Sequence, residues 1–278
     1  MTVVGRPLPE RRNFGLSSLP PTRRTRPLDP PNATLAAFDE VTATLGVFVV
    51  VTDKPLGTFR PGQYVSLGVL SGGDFVQRPY SIVSVGPDGT RLEFFIRRLP
   101  DGRLSNMLWA LAPGARVHIG PVKGLFTLDD GDERPRLMIG TGTGLAPLVA
   151  MLDQLHARSD GTPTTLIHGA SFHAELAYRD RIARWIDAGL ALDYRPTVSR
   201  PHEARNSGWS GLIGRAEAQL DRLLDESPWL AAGGSVAYLC GNPDMIEACS
   251  AVLVERGFGP SDIHVEQFHA PVGGPRRM

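Results

Sequence analysis

The chain has 278 residues, 42% of them hydrophobic, with 29 basic residues set against 29 acidic ones. That length favours two domains over one, and a zero net charge gives no reason to expect nucleic acid or an anionic membrane as the main partner. The two cysteines, Cys240 and Cys249, exclude a disulfide framework and cannot supply the four thiolates of a plant-type iron–sulfur cluster, so any such centre is expected on a partner protein.

Residues 1–32 are polar and proline-rich, ending in Asp29-Pro30-Pro31, and are expected to form a flexible extension. Arg11-Arg12-Asn13-Phe14 is faintly like a twin-arginine export signal, but no apolar stretch follows it, so a cytoplasmic protein is expected. No apolar run approaches the roughly 20 residues that span a bilayer. Thr42-Ala43-Thr44-Leu45 and Val47-Phe48-Val49-Val50-Val51 are strand-like runs, and turn material follows at 53–57 and 60–62. Residues 63–69 alternate at the strand period, and 91–97 and 116–119 read as further strands. Short strands separated by turns at roughly ten-residue intervals predict a small antiparallel β-barrel over 33–130.

The acidic segment 129–135 reads as a linker, and the pattern then changes. Strands are expected at 137–139, 164–168, 190–198 and 236–240, with helices at 147–156, 178–188 and 243–256. Strand and helix in alternation predict a doubly wound parallel α/β domain over 135–269, followed by a C-terminal extension, 270–278. The fold class is thus a two-domain α+β chain, barrel first.

Arg78-Pro79-Tyr80-Ser81 places a cation, an aromatic ring and a hydroxyl side by side near the start of a strand expected at 80–84. A flat, anionic, redox-active cofactor such as a flavin nucleotide needs all three. Strand alternation puts Arg78 and Tyr80 on one face and Ser81 on the other. The bland alternative is an exposed arginine beside a barrel tyrosine. Gly102-Arg103-Leu104-Ser105-Asn106 reads as a helix start with Ser105 or Asn106 as its N-cap, suited either to a diphosphate or simply to a capped surface helix. Arg97 and Arg98 add positive charge nearby.

Gly140-Thr141-Gly142-Thr143-Gly144 lies between a predicted strand and a predicted helix, where bare backbone admits a dinucleotide. Its spacing is not G-x-G-x-x-G. The second strand ends in His168-Gly169-Ala170-Ser171, without the carboxylate that usually reads the ribose 2′-hydroxyl of NAD. Cys240-Gly241-Asn242-Pro243 closes the last expected strand at the end where ligands of such folds bind.

Taken in order, Arg78-Pro79-Tyr80-Ser81, Leu104-Ser105-Asn106, Leu111-Ala112-Pro113-Gly114, Gly120-Pro121, the glycine turn and Cys240-Gly241-Asn242-Pro243-Asp244-Met245 resemble the ferredoxin–NADP⁺ reductase family over roughly residues 35–269. The resemblance implies an FAD-binding barrel and an NADP(H)-binding α/β domain. It implies that Arg78 holds the diphosphate with the Leu104-Ser105 helix start, that Tyr80 stacks on the flavin beside Pro79, and that Ser81 contacts the ring. Gly142, Thr143, Gly144, Cys240, Gly241, Asn242 and Met245 would meet the nicotinamide nucleotide. Ser199-Arg200 matches the family's 2′-phosphate pair, with Arg215 as a second cation and Arg205 as a weaker one. Some bacterial members carry an arginine where Ser171 stands. Phe268, followed by His269, matches the terminal aromatic residue that covers the other flavin face, and Glu266 is placed to orient the nicotinamide or relay a proton. The catalytic group is therefore expected to be Ser81, Cys240, Glu266 and Phe268, with no metal. The activity implied is exchange of hydride with NADPH and of single electrons with ferredoxin or flavodoxin. An NADH-dependent reductase component of an oxygenase is the alternative, and a flavin-binding regulatory module without turnover is the alternative from another class. The extension 270–278 would be a flap, a partner contact or a plain tail.

Overall fold

The structure, a computed structural model, describes residues 30–71 and 73–267. Strands β1 (Ala33–Thr42), β2 (Leu45–Thr52), β3 (Tyr64–Ser71), β4 (Asp74–Val85), β5 (Arg91–Arg97) and β6 (Arg116–Ile119) close into a barrel in the spatial order β1-β2-β5-β4-β3-β6. Alternation along β5 explains its apolar run. Leu92, Phe94 and Ile96 point into the barrel, while Phe95 joins the core of the following domain. Ile82 and Val83 of β4 divide in the same way. Helix α1 (Arg103–Trp109) adds Leu104 and Leu108 to the barrel core.

Four differences from the sequence reading lie in this barrel. Thr42-Ala43-Thr44-Leu45 is the hairpin turn between β1 and β2 rather than a strand. β1 itself, unassigned from sequence, keeps most of its side chains at least partly exposed and is irregular at Leu35/Ala37 and Glu40/Thr42, so the period-2 signal is blurred. β4 starts at Asp74, which puts Arg78-Pro79-Tyr80-Ser81 in mid-strand, paired with Leu67, Ser66, Val65 and Tyr64 of β3. Asn32, assigned to the extension, is tied to the barrel: its side chain donates to Ile119 O at 2.9 Å and accepts from Ile119 N at 2.8 Å. Residues 1–29 and 270–278 lie outside the described residues.

The second domain is a six-stranded parallel sheet in the order β10-β9-β8-β7-β11-β12. Its strands are β7 (Arg136–Thr141), β8 (Thr164–Ala170), β9 (Leu192–Val198), β10 (Leu212–Ile213), β11 (Val236–Gly241) and β12 (Ile263–Gln267). Helices α2 (Leu145–Ala157) and α3 (Arg179–Asp187) pack on one face through Leu148, Leu152, Ile182 and Trp185. Helices α4 (Ala216–Glu226) and α5 (Pro243–Glu255) cover the other through Leu220, Leu224, Ile246 and Leu253. α4 and β10 were not anticipated; β10 is only two residues long. Strand order reverses between β7 and β11, so the crevice beyond their carboxyl ends is the expected ligand position.

The two domains share an apolar seam. Leu45, Val83, Phe95 and Phe126 of the first belong to the same cluster as α2 and α3. Glu93 fastens one edge, accepting from Arg181 at 3.1 Å and from Ser84 Oγ at 2.9 Å. Phe95 and Tyr178 meet edge to face with ring centres 5.4 Å apart. The linker is held too, because Arg134 pairs with Asp132 and with Asp262, each at 2.7 Å.

Candidate active site

A cleft of about 910 Å³ opens between the barrel and the carboxyl ends of β7 and β11. Arg78, Pro79, Tyr80 and Ser81 form its barrel wall. Tyr80 is half-buried, and burial pushes its phenol up to about 12 against the opposing pull of Arg78, so it stays a neutral, polarisable ring at physiological pH. Arg78 is exposed and donates to Gln77 O at 2.7 Å, and among the described residues no carboxylate pairs with it. A guanidinium left without an anion at the mouth of a cleft fits a diphosphate.

The start of α1 continues this wall, with a correction to its cap. The N-cap is Gly102; Ser105 and Asn106 sit inside the first turn. Ser105 Oγ accepts from Leu99 N and donates to Gly102 O, both at 3.1 Å. Asn106 Nδ2 reaches the carbonyls of Leu99, Pro100 and Gly102 at 3.0 Å each. These two side chains hold the 99–102 loop against the helix. A Cβ on Gly102 would strike Ser105 Oγ and lie 2.8 Å from Leu99 Cβ, which explains the glycine where a capping side chain was expected.

The opposite wall is nearly bare backbone. After β7 a 3-10 turn, Gly142–Gly144, leads into α2, with Gly142 at φ +55°. A Cβ on Gly144 would collide with the backbone of Cys240 and Gly241, and Gly241, at φ +137°, is pressed against Thr141. Glycine at 144 and 241 lets β7 and β11 approach closely enough to leave the crevice open. Thr141, which the sequence reading passed over, accepts from Asn242 N through Oγ1 at 3.1 Å. The side-chain oxygen of Asn242 is committed to capping α5, accepting from Asp244 N at 2.7 Å. Thr143 and Met245 also line the cleft.

Behind the barrel wall three of the predicted catalytic residues converge from distant segments, and of the three only Ser81 lines the cleft itself. Cys240 and Glu266 are register partners on adjacent parallel strands, so both side chains leave the sheet on the same side. Ser81 Oγ, 185 positions away in sequence, donates to Glu266 Oε2 at 3.2 Å, and Cys240 Sγ lies 4.0 Å from the same oxygen. Burial pushes the Glu266 carboxyl up to about 7, although the Ser81 hydrogen bond works the other way. Burial and the neighbouring Glu266 push the fully buried Cys240 thiol well above its ordinary range, which keeps it an uncharged thiol beneath the cleft. The fourth member, Phe268, lies outside the described residues with His269.

Arg97, expected to add charge near the flavin, reaches across to the other domain. It stands 3.7 Å from Glu175 Oε1, and a Cβ on Gly142 would lie 3.4 Å from its Nη2. Glu175, absent from the sequence reading, is buried and accepts from Ser171 N at 3.3 Å. Ser199, Arg200 and Arg215 line the far end of the cleft. Arg205 is drawn away, its guanidinium 3.6 Å from the centre of the Phe172 ring. Cys249 is buried in the core between α4, α5 and the sheet.

Residues 32–127 match the oxidoreductase FAD-binding domain family and residues 138–251 the oxidoreductase NAD-binding domain family. Over 216 residues the chain is 32% identical to ferredoxin–NADP reductase B of Sorangium cellulosum, covering 76% of this chain and 85% of that protein. The chain belongs to the ferredoxin–NADP⁺ reductase family. A ferredoxin–NADP⁺ reductase structure from Neisseria gonorrhoeae with bound FAD and NADP superposes with a TM-score of 0.74 at 25% identity, covering 85% of this chain and 97% of that one. The electron transfer component of toluate 1,2-dioxygenase from Pseudomonas putida is 33% identical over 214 residues, 76% of this chain. The chain spans 59% of that relative's length, and 58% of methane monooxygenase component C from Methylosinus trichosporium. The barrel is thus an oxidoreductase FAD-binding domain and the parallel sheet an oxidoreductase NAD-binding domain. Among the described residues no helix is long and apolar enough to cross a membrane, and no group of three or more His, Cys, Asp or Glu is arranged to hold a metal ion.

Proposed function

We infer that the chain exchanges hydride with NADP(H) through FAD and passes single electrons to a ferredoxin or flavodoxin. The observation that carries this reading is the meeting of Ser81 from the barrel with Glu266 and Cys240 from the sheet beneath one cleft. Bound flavin supplies the conversion between two-electron and one-electron transfer, and the protein supplies position and electrostatics. Arg78 and the start of α1 would hold the flavin diphosphate, Tyr80 would cover one ring face, and Ser81, held by Glu266, would lie beside the ring. The glycine turn admits the nicotinamide nucleotide from the other wall. Glu266 is protonated in part of the population at neutral pH, and accepts from Ser81 through Oε2 when ionised. Phe268 is proposed to cover the second flavin face.

Ser199, Arg200 and Arg215 at one end of the cleft support a 2′-phosphate there, as does the lack of a carboxylate at the end of β8. A second reading, the NADH-dependent reductase component of an oxygenase with an iron–sulfur partner, is supported by relatives that are oxygenase electron-transfer components. A regulatory flavin module without turnover has no use for a carboxyl and hydroxyl poised between two nucleotide sites. Anaerobic stopped-flow mixing of the FAD-loaded protein with NADPH and, separately, NADH tests donor and competence together. Bleaching of the flavin band by NADPH is expected, and no bleaching by either nucleotide would defeat the enzyme reading.

A further inference from the structure

The far end of the cleft carries a charge pattern that the sequence did not suggest. Both arginines facing it already have carboxylate neighbours: Arg200 lies 3.3 Å from Glu203, and Arg215 lies 3.7 Å from Glu217. The two pairs differ in kind. Arg200 and Glu203 are 55% and 48% exposed, so water screens their interaction, and Glu203 is not part of the cleft wall. Glu217 is only 23% exposed and lines the cleft itself, while its partner Arg215 is 69% exposed, so the pair differs in where the carboxylate sits rather than in being shielded from water. Glu217 stands in the first turn of α4.

Packing places Glu217 where a ribose-reading acid would be needed. A Cβ on Gly169 of β8 would lie 3.2 Å from Ala216 Cβ, so the start of α4 sits directly on the end of β8. Ser199 N donates to Ala170 O at 2.9 Å, and Gly214 N donates to Val198 O at 2.8 Å. These contacts draw the ends of β8, β9 and β10 together around the same end of the cleft. The carboxylate missing after β8 in sequence is thus present in space, carried by a helix some fifty residues further along.

Resting on the nucleotide site proposed above, we propose that Glu217 is the residue that sets the balance between NADH and NADPH in this chain. The carboxylate accepts a hydrogen bond from a ribose 2′-hydroxyl and occupies Arg215. A 2′-phosphate brings a second anion to the same place and must draw Arg215 away from Glu217. Arg200 remains the attracting cation, Glu217 is the opposing charge, and the site admits both nucleotides.

The test is calorimetric titration of the FAD-loaded protein with 5′-AMP and with 2′,5′-ADP, which differ only in the 2′ group. In Glu217→Gln the preference for 2′,5′-ADP over 5′-AMP should rise by about tenfold, equivalent to about 1.4 kcal/mol. Glu217→Asp, which keeps the charge, should stay near the wild-type ratio, and the flavin absorbance spectrum checks that each variant is folded. An unchanged ratio in Glu217→Gln overturns the proposal, as does an equal shift for both ligands. Arg200→Ala separates the two levels of inference. If it weakens 2′,5′-ADP while Glu217→Gln leaves the ratio alone, the nucleotide site stands and the role of Glu217 falls. If wild-type protein binds neither ligand, both fall.

Discussion

Glu266 offers a test in which protonation is read as stability. Its carboxyl stands at about 7 in the fold against an ordinary value of 4.5, chiefly because it is buried. Below pH 4.5 the group is protonated in both folded and unfolded chains and contributes no difference. As pH rises through 4.5 the unfolded chain releases its proton while the folded one retains it, so stability falls, and the loss is complete once pH passes 7. At about 1.4 kcal/mol for each tenfold difference in proton affinity, the full loss has an upper bound of roughly 3 kcal/mol, reduced by the remaining solvent contact. Glu266→Gln keeps the shape and removes the titration. Urea denaturation of both proteins at a series of pH values from 5 to 8 isolates the effect, because every other titrating group is common to both. The wild type should lose roughly 1–3 kcal/mol relative to the variant across that range. Parallel stability curves would show that Glu266 is ionised throughout and would remove it as a proton holder at the flavin edge. The rate of flavin reduction should in parallel lose its pH dependence near 7 in the variant.

Tyr80→Ala should release flavin during purification, measured as the ratio of visible to protein absorbance; retention of stoichiometric FAD would count against stacking by this ring. Arg200→Ala should raise the KM for NADPH by roughly ten- to a hundredfold, as expected for a lost charge-assisted contact, and leave that for NADH within a few-fold. Equal effects on the two donors would remove it from the 2′-phosphate site. Gly144→Ala should cost roughly 1–3 kcal/mol, since its new methyl meets the backbone of Cys240 and Gly241 and the strands must part to admit it. A denaturation midpoint equal to that of the wild type would show that β7 and β11 separate freely.

Much of the architecture could be read from local chemistry. Phe94 and Phe95 reveal a strand through side-chain type alone, and Leu148, Leu152 and Leu155 reveal a helix through spacing. β1 escaped because a strand with charged Asp39 and Glu40 and irregular pairing has little periodic apolar signal. The cap of α1 was misread for a related reason. Ser105 and Asn106 are good capping residues, but the backbone turns three residues before Ser105, at Gly102, where only a glycine fits against Leu99 and Ser105. In the site, Arg78, Tyr80 and the glycine turn were visible because each acts through its own chemistry at one place in the chain.

Glu175 and Glu217 were not visible in that way, because a carboxylate on a helix or turn looks the same whether it faces water or a cleft. Most of the elements, and the short segments able to meet a flat anionic cofactor, follow from periodicity and residue type within a few positions. That Ser81 meets Glu266 across 185 positions, that Arg97 turns toward Glu175, and that Arg215 faces Glu217 in the cleft emerges on folding. Those pairings depend on strand register and on two domains closing over a shared apolar seam, and neither is encoded within any local stretch of the chain.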